Sequence, residues 1–88
     1  MKHAGAAALD TIESMLVAAR AVVGLTERSR GIFYRRAIAF LHFHEDPAGM
    51  FADLKFANGW RRSRVSTASE RRRFLAALRA AAESFDVR

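Results

Sequence analysis

His42 and His44 flank Phe43 in the run Leu-His-Phe-His-Glu. Side chains alternate faces along an extended strand, so both imidazoles fall on one side. A reversal at Asp46-Pro47-Ala48-Gly49 brings Asp53 back opposite His42. Two imidazoles and a carboxylate are a donor set that divalent transition metals accept. His42, His44 and Asp53 are therefore metal candidates. The competing reading is that the histidines cap a sheet edge or sit in a dimer interface.

Other catalytic patterns are missing from the sequence. There is no cysteine. Gly5, Gly24, Gly31, Gly49 and Gly59 are isolated and form no phosphate-cradling loop. Ser14, Ser29, Ser63, Ser66 and Ser69 lack a nucleophile-elbow context. Glu45 and Asp46 precede a proline turn, where a local turn role suffices. The expectation is a non-enzymatic protein with no cofactor and no evident small-molecule substrate.

The elements that must position these residues follow from periodicity. Residues 1–88 read as a single α+β domain. Leu9, Ile12, Leu16, Ala19 and Val23 form an apolar helical stripe; Asp10 and Glu13 have capping-box spacing, and Gly24 is a stop. The polar run Leu25 to Gly31 reads as a connector. From Gly31 to Ser66 the period becomes two. Asp46-Pro47-Ala48-Gly49 is a type I turn signature, Asn58-Gly59 a hairpin signal, and Arg36-Ala37 a weaker turn. These divide the stretch into four strands, near 32–35, 38–45, 50–57 and 60–66. Thr67-Ala68-Ser69-Glu70 is a second capping box, and Phe74, Leu78, Ala81 and Phe85 mark a helix through the C-terminus. The expected fold is a four-stranded antiparallel meander, with the N-terminal and C-terminal helices packed on one face (α-β-β-β-β-α).

The turns fix the register. The first hairpin pairs Phe33 with Phe40 and Ile32 with Leu41. The second pairs Glu45 with Met50, Phe43 with Ala52, His42 with Asp53 and Leu41 with Leu54. The third sets Ala57 against Trp60, Lys55 against Arg62 and Asp53 against Arg64. One face then carries Ile32, Tyr34, Ala39, Leu41, Phe43, Ala52, Leu54, Phe56, Ser63 and Val65, an apolar surface for the helices. The other carries Phe33, Arg35, Ile38, Phe40, His42, His44, Phe51, Asp53, Lys55, Trp60, Arg62 and Arg64. So many aromatics on an uncovered face mark an interface.

That outer face supports two expectations beside the metal reading. The first is a homodimer, or another partner, packed on it. The second is nucleic-acid binding through Phe33, Arg35, Phe40, Phe51, Lys55, Trp60, Arg62 and Arg64, with Arg71, Arg72 and Arg73 on the last helix. The net charge is +6, and residues 28–88 alone carry +7. Such a balance attracts polyanions. Thirteen of the fifteen cations are arginine, which a GC-rich bacterial genome also produces. The helix–strands–helix order resembles the double-stranded-RNA-binding domain, which implies phosphate contacts from Arg71, Arg72 and Arg73. That family's glycine-rich segment and paired lysines are replaced here by SRVSTASERRR. The His-Phe-His spacing is similar to the strand motif of nucleases that nick single-stranded DNA through a helical tyrosine. The one tyrosine here, Tyr34, falls on a strand.

No apolar run reaches the roughly 20 residues of a membrane span. Asp10 and Glu13 are foreign to a secretory leader. Together with the lack of cysteine, this leads us to expect a cytoplasmic protein. The nucleic-acid expectation requires an affinity for RNA or DNA that falls steeply with salt and weakens in Arg62→Ala with Arg64→Ala; no binding at low salt removes it.

Overall fold

The computed structural model describes residues 1–86, and the side chains of Phe85 and Asp86 are outside that description. Strand β1 (Lys2–His3) leads into α1 (Ala6–Thr11) and α2 (Glu13–Arg20). Five strands follow: β2 (Leu25–Ser29), β3 (Ile32–Arg35), β4 (Ile38–Asp46), β5 (Gly49–Phe56) and β6 (Gly59–Arg64). Helix α3 (Ala68–Asp86) closes the order. The sheet is an antiparallel meander β2-β3-β4-β5-β6, with β1 added on β4.

The protein is α+β as expected, but its sheet is larger than the four strands read from the sequence. The supposed connector Leu25–Ser29 is β2. Its polar sequence, Leu-Thr-Glu-Arg-Ser, belongs to an edge strand with little to bury. Gly24 ends the helical region with φ +92, and a side chain there would collide with the Arg35 guanidinium.

The N-terminal stripe forms two helical segments. The break is at Ile12, whose backbone leaves the helical region (φ −119, ψ 23) while its side chain is fully buried. No side-chain cap forms at Ile12. Asp10 and Glu13, read as a capping box, instead reach Arg30 at 2.8 Å each. Arg20 joins Glu13 to Glu27, and Glu27 accepts the Gly31 N–H at 2.9 Å. This network ties the helical segments to the β2–β3 hairpin. The second capping box forms as expected: Thr67 Oγ1 accepts the Glu70 N–H and Glu70 Oε1 accepts the Thr67 N–H. Phe85 lies in the last described turn of α3, while Val87 and Arg88 lie outside the described residues.

The β4–β5 hairpin has the expected register, from Leu41↔Leu54 to Glu45↔Met50. Asp46 Oδ2 accepts the Ala48 N–H at 3.1 Å and shapes the turn. The other two hairpins differ. On β3–β4 the pairs are Ile32↔His42 and Phe33↔Leu41, then Tyr34↔Ala39, so Phe40 is an extra residue in a bulge. The turn after β3 falls at Arg36-Ala37 as expected, with Arg36 at φ 58. On β5–β6 the loop is Ala57-Asn58, one residue earlier than read, and Asp53 pairs with Arg62 rather than Arg64. That error is a shift of two residues, which preserves the faces.

The bulge changes which side chains are buried. Phe33, Phe40 and Leu41 have no exposed surface, and Arg35 keeps only 2%. They join a core with Leu9, Ile12, Met15 and Leu16 from α1, α2 and the break between them, and with Phe74 and Leu78 from α3. Phe43 stacks edge-on against Phe74 at 6.4 Å. Ile32 moves to the opposite side, level with His42. Among the described residues no helix is long and apolar enough to cross a membrane. Truncating a fully buried phenylalanine leaves an unfilled cavity, so Phe33→Ala is expected to lose about 3–5 kcal/mol in urea unfolding; an unchanged midpoint would return Phe33 to the surface.

Candidate metal centre

Adjacent strands set out the site in two rows. One runs Ile32, His42, Asp53, Arg62 across β3, β4, β5 and β6. The other runs His3, His44, Phe51, Arg64 across β1, β4, β5 and β6. The same alternation sends the intervening Leu41, Phe43, Ala52 and Leu54 into the core. The histidines are thus held by the strand pairing that buries their neighbours.

The rows bring their polar atoms together. His42 Nδ1 and His44 Nε2 are 3.0 Å apart. Asp53 Oδ2 lies 3.1 Å from His44 Nε2 and 3.9 Å from His42 Nδ1. A circle through these three atoms has a radius of roughly 2.0 Å, the length of a zinc–imidazole or zinc–carboxylate bond. His3 supplies a third imidazole. One ring nitrogen from each of His3, His42 and His44 lies within 4.8 Å of the others. The His3 ring centroid is 4.6 Å from His44 and 5.3 Å from His42.

The surroundings hold these donors in place. Arg62 grips Asp53 with two hydrogen bonds, Nε to Oδ1 at 2.7 Å and Nη2 to Oδ2 at 2.8 Å. Burial works to raise the Asp53 pKa, but the Arg62 hydrogen bonds and charge and the nearby His44 and His42 outweigh it and keep it below the usual carboxylate range. Burial lowers the His42 pKa, against the pull of Asp53, and so favours the neutral imidazole that can bind a metal. The Trp60 ring forms a wall 4.7 Å from His42.

The structure separates the residues expected on this face. His42, His44 and Asp53 come together, and Phe51, Lys55, Trp60, Arg62 and Arg64 lie around them. The Lys55 ammonium stands 5.5 Å from the Trp60 ring. Arg64 turns to Glu70 at 3.1 Å. Phe33 and Phe40 do not belong here, because the Phe40 bulge puts both in the core. Arg35 is also displaced: buried beneath Gly24, it donates to the Val23 carbonyl at 3.3 Å. On α3, Arg71 donates to the Val65 carbonyl at 2.9 Å, while Arg72 and Arg73 are exposed.

Sequence reasoning missed His3. The N-terminus reads as helix, and two residues of strand carry no periodicity. The one available signal is that the chain has three histidines and two already share a face.

Arg62→Ala is expected to move the Asp53 carboxyl pKa upward, read by NMR titration of its side-chain carbon. Because the folded pKa is depressed, the stabilisation is present above the unfolded value and is lost as pH falls through the folded one. The variant should therefore begin acid unfolding at higher pH than the parent; an unchanged Asp53 titration would mean that Arg62 does not hold the carboxylate. The chain matches no protein-family model, no curated protein and no solved structure.

Proposed function

We propose that this protein binds a divalent first-row transition metal through His42, His44 and Asp53, with His3 as a further ligand. The observation that carries this reading is the convergence of three donor atoms, which lie on a circle whose radius of roughly 2.0 Å is that of a metal–ligand bond. Mixed imidazole and carboxylate donors suit zinc, iron, manganese or nickel rather than magnesium or calcium. Arg62 has the part of an outer partner that orients the ligating carboxylate. The activity is binding rather than turnover: Asp53 is committed to Arg62 and is not placed as a free base. Helices α1, α2 and α3 are read as covering the Leu41, Phe43, Ala52 and Leu54 face, which leaves the histidine face open.

A second reading keeps this face as a partner surface, for a second copy of the chain or a nucleic acid. It is favoured by Trp60, 45% exposed beside Lys55. The pairing of Arg62 with Asp53 and of Arg64 with Glu70 weighs against a surface made to hold phosphates. A cytoplasmic setting agrees with either reading.

Metal addition is expected to change the fluorescence of Trp60, the single tryptophan, with nickel or copper quenching it. In calorimetry with zinc, His42→Ala or His44→Ala should abolish measurable binding. Arg62→Ala, which frees the ligating Asp53 carboxylate from its outer partner, should weaken it by roughly 10–100-fold. Affinity should also fall in acid, where protons compete for the His42 imidazole; because burial lowers its pKa, that loss should begin below the ordinary histidine range. If zinc, nickel and manganese all fail to bind the purified chain, the metal reading is wrong. A mass near twice 9.8 kDa without metal would favour the second reading.

A further inference from the structure

The donors of the proposed site have unequal footing. His42, His44 and Asp53 sit on β4 and β5, which share a six-pair ladder. His3 sits on a strand of two exposed residues, and β1 pairs only with β4. Beyond its two-pair ladder with β4, its anchors are the Ala4 N–H, which donates to the Phe43 carbonyl at 3.1 Å, the Gly5 N–H, which donates to Glu45 Oε2 at 2.7 Å, and the Met1 nitrogen, 3.3 Å from Asp46. A strand of two exposed residues with so short a ladder opens with little free energy.

The place where β1 lies is also distinctive. Strand β3 covers the β4 edge from Ile38 to His42, and β1 covers it at His44 and Glu45. A bare strand edge is a template for pairing with another chain. A metal ligand on β1 would therefore join a weakly held strand to a rigid hairpin at the point where the sheet edge needs cover.

We propose that the metal acts as a clasp: an ion shared by His3, His42 and His44 fastens β1 onto the outer end of β4, and its loss releases β1 and bares that edge. This rests on the metal reading above. An ion that binds only the closed arrangement stabilises it in proportion to its occupancy, so metal availability becomes strand closure.

The test uses the full chain with zinc or with chelator, read by hydrogen exchange in peptides covering residues 1–8 and 43–46. Zinc at about a hundred times its dissociation constant should slow exchange of the Ala4 and Gly5 amides by roughly tenfold or more. His3→Gln should still bind zinc through His42, His44 and Asp53, more weakly than the parent, and zinc should no longer slow those amides. The clasp is overturned if His3→Gln binds zinc as tightly as the parent, or if zinc binds the parent without slowing exchange; in both cases the three-residue site still stands. A zinc-induced doubling of mass that His3→Gln abolishes would also overturn it, since His3 would then come from a second copy. If the parent binds no metal, the clasp fails together with the site it needs.

Discussion

The register of the β4–β5 hairpin is the constraint on which the rest of this molecule depends. One set of pairings, Leu41 with Leu54 and Phe43 with Ala52, places apolar side chains in the core. The interleaved pairings, His42 with Asp53 and His44 with Phe51, place donors on the reverse side. Neither face can be adjusted separately, because the side-chain period is two and the backbone ladder is common to both. The hydrophobic driving force that assembles the core thereby also sets the distance between His42 and Asp53. Polar groups that attract no core packing are positioned by the packing of their neighbours.

The same constraint explains what could be read in advance. The Asp46-Pro47-Ala48-Gly49 turn fixes its hairpin by chemistry local to four residues, so His42, His44 and Asp53 were legible as a group. The Asn58-Gly59 signal places its turn one residue later than the observed Ala57-Asn58 loop. The difference is a two-residue shift, so Arg62 and Arg64 keep their face while Arg62 meets Asp53 and Arg64 meets Phe51. The bulge at Phe40 was not legible. Its cause is the burial of both Phe40 and Leu41, a demand of the folded core that the alternation of β4 alone does not express. Phe33, Arg35 and Phe40, which simple alternation puts on the outer face, are buried for that reason. Strand β2 was missed because an edge strand can be polar, and β1 because two residues define no pattern.

Two groups of ionic contacts differ in physical weight. Arg20, Arg30, Asp10, Glu13 and Glu27 form a network over the surface between the helical segments and the β2–β3 hairpin. Its members are largely solvated, and salt screens them. Asp53 is different, with 6% of its surface exposed. A carboxylate so enclosed needs its partners, and Arg62, His44 and His42 surround it. The same enclosure makes its negative charge available to a cation at short range, where water would otherwise weaken the attraction.

Among the described residues no strand pairs with the far side of β6, which carries Arg61, Arg62 and Arg64 within six residues. Bringing two such edges together would set like charges side by side at strand spacing, at an electrostatic cost. The arginines therefore limit the growth of the sheet whatever else they contact. The same short strand that supplies Arg62 to Asp53 thus also carries the side chains that make its free edge a poor template for another strand.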